Sequence, residues 1–479
     1  MRKEILKNSM KICLFLCFLG IVFCKILSIL NYKDTGGGGG WGRFYDTPKG
    51  MIDVVFLGSS HAHCTVDHRI LWDEFGIAGY TLSAGSQQLD STYYFMKEVI
   101  ERQKPEIIAV DVWAATFDEF TNSEETIYRN TLGMKWSKTF FEFSDTILED
   151  MEASELFSKQ VKSKLPIIHT RYKELTKEDF VDDIPYMRGY QGSYENISYE
   201  TPIILDKEET VPLGEEAEKY LKEIISLAKE TGTQLLLIVS PYVIPEEHQR
   251  KLNQVAKIAD KNKIPMINYN YLYDELKIDY TSDFRDTDHV NNFGALKVTK
   301  HLGDYLKENY ELKDHRGEKD YILWDENSIY LSGKEVTKVL KDIGDINLYL
   351  QKLNSLEDYL MIISLSGDHL AAGDVYKAGL KALGISDEEY KTGGCFLFED
   401  GMRKLYISDK TYKEKYSVDK EDIYMKKQDG KAGRIIWDGQ TYNFVENGIN
   451  IWIYDPRINK VIDSVGVDIY TSLDMIRLE

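Results

Sequence analysis

The chain is predicted to be an α/β protein: a parallel sheet covered by helices on both faces, followed by a β-rich α+β domain and preceded by an apolar segment. Three observations predict this. Strand-length apolar runs without polar alternation are separated by segments whose apolar residues recur every three to four positions, the pattern of strands buried on both faces. At 479 residues the chain exceeds what one hydrophobic core holds. The character of the sequence also changes sharply near residue 31 and again near residue 313.

The first segment is basic and then apolar. Arg2, Lys3, Lys7 and Lys11 precede "ICLFLCFLGIVFC", and "ILSIL" follows Lys25. Ile12 to Leu30 is close to the ~20 residues a spanning helix needs, with Lys25 able to snorkel. The reading is a transmembrane anchor over 1–31 with a cytoplasmic N-terminus and an exported remainder, since the basic residues lie ahead of it. A cleaved signal peptide is the competing reading, but no small-x-small site follows the run, and Phe23 is too bulky for a lipoprotein site. A Gly-rich linker, 32–50, contains "TGGGGGWG", which no helix or strand would keep.

The net charge is −20, and the basic start leaves the exported part at −24. Such a surface repels a phosphate backbone, which excludes non-specific nucleic-acid binding. Cys13, Cys17 and Cys24 lie in the anchor, leaving Cys64 and Cys395 far apart, so stability must come from the core and not from a disulfide framework.

The main domain is placed at 51–312. "DVVFLG" (Asp53–Gly58), "GYTLSAG" (Gly79–Gly85), "EIIAVDVW" (Glu106–Trp113), "QLLLIVSPY" (Gln234–Tyr242) and "IPMINY" (Ile264–Tyr269) are its five strands. Leu89, Tyr93, Met96 and Ile100 mark a helix, as do Ala217 to Ala228 before Gly232, Pro245 to Asn262, and Val298 to Leu306. An aromatic, charged insertion at 114–213 is too long for a plain loop and reads as a helical insertion or lid, or else as a solvated excursion. The charged "KDHRGEKD" beyond Tyr310 is a linker, and 320–479 a β-rich accessory domain with strands in "YLMIISLSG", "GCFLFEDG", "RIIWDGQTYNFV" and "GINIWIYDPRINKVIDSVGVDIY".

Function in a parallel sheet collects at the carboxyl ends of its strands. There "FLGSSHAHC" presents Ser59 and Ser60 just past Gly58. A serine is a weak nucleophile until a base takes its proton and a carboxylate orients that base. "DFRDTDHVNNFG" supplies both: His289, with Asp286 three residues earlier, where a tight turn can bring the carboxylate onto the ring. Asp288 is badly placed as an adjacent residue, and Asp283 is more remote. His61, His63, Cys64 and His68 raise a metal site, but no second ligand pair stands at recognised spacing, so no metal and no cofactor are expected.

"FLGSSHA" resembles the first block of the SGNH (GDSL-type) hydrolases, and "DTDH" is similar to their terminal D-x-x-H block. The resemblance implies an SGNH-like (flavodoxin-like) sheet, Ser60 as nucleophile, His289 as base, Asp286 as its orienter, and the backbone N–H groups of Ser60 and Gly85, in "LSAGSQQ", as oxyanion hole. One departure stands out: the family's third block carries an asparagine that completes the hole, whereas this chain reads "VDVWAATF". Asp111 is a poor substitute, because an ionised carboxylate repels the developing charge. The anchor and the "GSS" block also resemble the DltD-like and alginate O-acetylation subgroup. That implies an acylated glycan or teichoic-acid-like polymer as substrate, and work beside a membrane-bound O-acyltransferase. His61 at the site mouth, Gln87, Trp113, and His169, Arg171 and Arg188 in the insertion are the candidate substrate-binding residues. A non-catalytic scaffold or glycan-binding protein is the alternative. The C-terminal region has a fainter likeness to the interleukin-like EMT inducer domain, with its pieces in reversed order; an unrelated β-rich domain is the other reading.

Overall fold

The computed structural model describes residues 2–30, 40–164, 172–173, 175, 188–193, 195–356, 358–408, 411–418, 421–427, 433–442, 445–471 and 474–477. The chain forms two compact units, residues 1–327 and 328–479.

In the first unit, five strands alternate with helices: β1 (Val54–Gly58), β2 (Gly79–Ser83), β3 (Ile107–Asp111), β4 (Gln234–Val239) and β5 (Met266–Asn268). All neighbouring pairs are parallel, in the order β2-β1-β3-β4-β5. Within β1, Val55 and Leu57 join one core and Val54 and Phe56 another. Both faces of the strand are therefore buried, which is why its sequence shows no polar alternation. In a doubly wound sheet of this order the connections reverse direction between β1 and β3, opening a crevice at their carboxyl ends.

The helices Leu89–Arg102, Glu215–Thr231, Glu246–Asn262 and Asn292–Asn309 cover the sheet. Helix Glu215–Thr231 stops at Gly232, which takes the left-handed conformation (φ 70°) that ends a helix without Cβ strain. The insertion contributes helices Glu124–Thr131, Lys138–Asp150 and Glu155–Ser163. They bury Ile127, Phe140, Phe143, Ile147, Phe157 and Val161 in the same core as Leu89, Phe95 and Val99. This part of the insertion thickens the domain and is not a solvated excursion. Its far end is bonded to three parts of the unit: Arg188 O accepts from Thr81 N (2.9 Å), His63 O from Gln191 N (2.7 Å), and Phe284 O from Ile197 N (2.9 Å).

The charged stretch expected to be a linker belongs to the first unit. His315 Nε2 lies 3.2 Å from an Asp53 carboxylate oxygen, and its ring stacks on Tyr321 at 4.1 Å. The division instead falls inside helix Ile322–Asp342.

The second unit is β-rich. A six-stranded antiparallel sheet has the order β15-β14-β13-β6-β7-β8, from β6 (Leu360–Ser366), β7 (Gly394–Glu399), β8 (Met402–Ser408), β13 (Gly448–Asp455), β14 (Lys460–Asp468) and β15 (Ile476–Arg477). A four-stranded antiparallel sheet has the order β12-β11-β10-β9, from β9 (Tyr412–Val418), β10 (Glu421–Lys427), β11 (Arg434–Trp437) and β12 (Gln440–Thr441). Met361 and Ile363 pack under helices such as Ile346–Leu353, while Leu360 and Ile362 face Ile423, Met425 and Ile435.

The N-terminal segment is one helix, Arg2–Leu30, in which Ile12, Leu14, Phe15, Leu16, Phe18 and Ile21 are all exposed. Among the described residues no helix is long and apolar enough to cross a membrane. The apolar run Ile12–Leu30 includes Cys24, Leu27 and Ser28, whose side chains lie outside that description.

Candidate active site

The strand register sets out the site before any side chain is considered. Gly58 is level with Ser83 on one side, and Leu57 with Val110 on the other, which puts Asp111 beside Gly58. Ser60, Gly85 and Trp113 therefore each stand two residues beyond the same level on three adjacent strands. Gly58 makes the turn: its φ is +147°, and a Cβ there would come within 2.9 Å of Asp111 Cβ. Only glycine fits at both counts. Ser59 then caps the short helix Ser60–Thr65, its hydroxyl accepting from His61 N at 3.3 Å, so that Ser60 begins the helix with its side chain at the sheet rim.

The loop between β5 and helix Asn292–Asn309 brings the other two groups. Phe284 and Val290 pair as an antiparallel bridge, closing a tight loop over 285–289, and Val243 N donates to Thr287 O (2.8 Å), tying that loop to the end of β4. His289 Nε2 lies 2.7 Å from Ser60 Oγ. On the other side of the ring, Nδ1 lies 2.8 and 2.9 Å from the two carboxylate oxygens of Asp286. With Nδ1 carrying the proton toward Asp286, Nε2 is left as the acceptor facing the serine hydroxyl. Asp286 also accepts from the backbone N–H groups of Asp288 and His289, both at 2.9 Å. Burial pushes its carboxyl up, but the bonds from His289 and Asp288 outweigh burial and hold it below the usual carboxylate range. Arg285 Nε, 3.3 Å away, adds a cation that the sequence reading did not single out. Asp288 is exposed and bonds only within its own loop, and Asp283 is paired with Lys297.

Asp111 is committed elsewhere. One carboxylate oxygen accepts from Ser240 N (3.0 Å) and Ser240 Oγ (2.7 Å), the other from Trp113 N (3.0 Å). Burial raises its pKa in spite of these bonds. It ties the ends of β3 and β4 together, a structural duty.

His61 was expected at the site mouth; instead it is 1% exposed. Its ring stacks on Trp113 (centroids 4.5 Å apart), meets Tyr242 edge-on at 5.0 Å and lies 5.3 Å from the His289 ring. Gln87 is likewise buried, its amide nitrogen donating to Thr92 Oγ1 (2.9 Å). Trp113 is half-buried. Arg188 does not reach the site. It is 3% exposed, with its guanidinium 3.5 Å from the Trp324 ring centroid, and Trp324 packs with Trp72 and Tyr321 near the amino end of β1. An arginine against an aromatic face is stabilised by packing and cation–π attraction, which accounts for its place without a ligand. His169 and Arg171 lie outside the described residues.

The four residues weighed as metal ligands diverge. His63 Nδ1 pairs with Ser83 Oγ and His68 Nε2 with Thr81 Oγ1, both at 2.8 Å, so both rings bond β2 hydroxyls. Burial holds both imidazoles down at about 3, while it pushes the Cys64 thiol up to about 12. Among the described residues no group of three or more His, Cys, Asp or Glu side chains is arranged to hold a metal ion. No known protein-family model matches the chain.

Proposed function

We propose that this protein is an SGNH-type serine esterase or O-acyltransferase, anchored to a bacterial membrane through the apolar run Ile12–Leu30 and acting outside it on acyl esters of cell-surface or exported glycans. The observation that carries the reading is the continuous chain from Ser60 Oγ to His289 Nε2 (2.7 Å) and from His289 Nδ1 to Asp286 (2.8 Å). The strand order, and the register that sets Ser60 and Gly85 each two residues beyond one level of adjacent strands, support the SGNH-like fold. The row of exposed apolar side chains from Ile12 to Ile26, in a chain otherwise strongly acidic, supports the anchor.

In this mechanism Ser60 Oγ attacks the ester carbonyl carbon while His289 Nε2 takes its proton. The Ser60 and Gly85 N–H groups bind the resulting oxyanion. The tetrahedral species collapses, the C–O bond to the glycan breaks, and the leaving alkoxide takes the proton from His289. Water or a second glycan hydroxyl then attacks the acyl-serine ester by the same route in reverse. Water gives a carboxylic acid; a glycan hydroxyl gives a new ester, with a membrane-bound O-acyltransferase as the fitting partner.

The absent third-block asparagine favours a second reading, a glycan-binding scaffold without turnover. A fluorophosphonate probe separates the two. Labelling of the full chain but not of Ser60→Ala supports the enzyme, and no labelling of either leaves the scaffold.

A further inference from the structure

The chain lacks the asparagine that would complete the oxyanion hole, and Asp111, the nearest polar side chain in that stretch, has both oxygens occupied. Beside it stands an unexplained feature. His61 directly follows the nucleophile, is 1% exposed, and neither of its ring nitrogens has a hydrogen-bond partner. A buried polar group without a partner costs stability, and a native structure that retains one calls for a reason. Its surroundings offer none: Trp113 on one face, the edge of Tyr242, whose hydroxyl is paired with His248 Nδ1 at 3.1 Å, and the ring of His289 at 5.3 Å.

We propose that the imidazole N–H of His61 is the third donor to the tetrahedral oxyanion formed at Ser60, in the role that SGNH relatives give to an asparagine amide. The proposal rests on the hydrolase reading above. Three further points support it. The ring is in contact with the imidazole that itself touches Ser60 Oγ, so it lies in the layer of atoms next to the reacting hydroxyl. Burial, with smaller contributions from His289, His63 and His248, holds the His61 pKa well below its usual value, so the ring stays neutral and keeps one N–H to give. A neutral imidazole can polarise a carbonyl, and it places no cation against the imidazolium that forms on His289 during attack. The stack on Trp113 locks the ring, so a donor held there needs little reorganisation when the oxyanion appears.

The test uses the full chain in detergent with p-nitrophenyl acetate as substrate and a trifluoromethyl ketone as a tetrahedral mimic. His61→Phe keeps a ring of similar shape and deletes both nitrogens; His61→Gln restores an N–H donor. The expected result is a fall in kcat of about 100-fold for His61→Phe with little change in KM, an equal loss of affinity for the ketone, and recovery of most of both in His61→Gln. A kcat for His61→Phe within about threefold of the parent, against the usual hundredfold cost of a lost donor, overturns the proposal. So does an equal loss in both variants with ketone affinity intact, which would mark a packing role. Loss in Trp113→Phe with His61→Phe unaffected moves the donor to the indole and overturns it as well. Should His61→Phe not fold, histidine ring N–H resonances of the parent chain decide: the His61 proton, assigned with His61→Gln, moves downfield in the ketone adduct, and an unmoved signal refutes. A parent chain that neither turns over nor reacts with a fluorophosphonate sinks the hydrolase reading itself, a different failure.

Discussion

Replacing Gly58 with alanine tests the turn on which the site is built. At φ +147° in a strand the backbone sits where L residues rarely go, at a cost of about 1–3 kcal/mol. The new Cβ would also meet Asp111 Cβ at 2.9 Å and Asp111 O at 3.1 Å, so backbone and side chain of β3 must both give way. Crowding of that kind adds roughly 1–3 kcal/mol. The total of about 2–6 kcal/mol is a large part of the ~5–15 kcal/mol that holds a domain folded. At about 2 °C per kcal/mol in a unit of this size, the expected loss in Tm is roughly 4–12 °C. Gly232→Ala is the control: its φ is also positive, at 70°, but nothing lies within 4 Å of a Cβ there, so only the smaller backbone cost applies. Differential scanning calorimetry of the two variants and the parent makes the comparison, with the first-unit transition assigned through Gly232→Ala. A Tm for Gly58→Ala within about 1 °C of the control would refute the reasoning, because the extra 1–3 kcal/mol of contact, about 2–6 °C, would then be missing. Fluorophosphonate labelling of folded Gly58→Ala is expected to slow as well, since any relaxation moves Ser59 and Ser60.

Asp286→Asn presents an amide to His289 Nδ1 and favours the tautomer with its proton on Nε2; kcat for p-nitrophenyl acetate should fall about 10⁴-fold, and a loss under tenfold would argue against the assigned roles. His63 is held at about 3 when folded, so the unfolded chain takes up its proton first and stability drains away as pH falls from about 6.5 toward 3, by about 1.4 kcal/mol per pH unit from this group. His63→Asn should therefore show a flatter dependence of urea-unfolding free energy between pH 6.5 and 5.5, shallower by about 1 kcal/mol, and equal slopes in variant and parent would contradict it. Cys64 and Cys395 are buried with thiols pushed up to about 12, so both should resist maleimide in the native protein and react once it is unfolded in urea; native labelling at Cys64 would mean that helix Ser60–Thr65 opens.

Much of this was legible in the sequence because its causes are local. A strand buried on both faces has to be apolar throughout, so β1 to β5 could be read from composition and length, each within a few residues of its span. The turn at Gly58 and the three-residue interval from Asp286 to His289 are also short-range; they nominated Ser59 or Ser60 with His289 and Asp286, and the choice of Ser60 came from the resemblance to the SGNH blocks. Strands β8, β9 and β10 were missed for an equally local reason: "MRKLYIS", "YKEKYSV" and "EDIYMKK" mix charged residues with apolar ones, and few of their residues are buried, so they look like solvated loops.

What the sequence by itself determined is the sheet, its helices and the chemical types at its rim. Only the tertiary structure decided which of those residues face one another. Parallel strands are joined by crossovers, so residues more than two hundred positions apart meet while near neighbours part: Ser60 reaches His289, whereas His63 and His68 turn to β2, Arg188 goes to Trp324, and Asp111 closes onto Ser240. The physical reason is that a buried polar side chain draws its partner from groups brought in by other strands, and that choice is made by register and packing, which no local window of sequence contains.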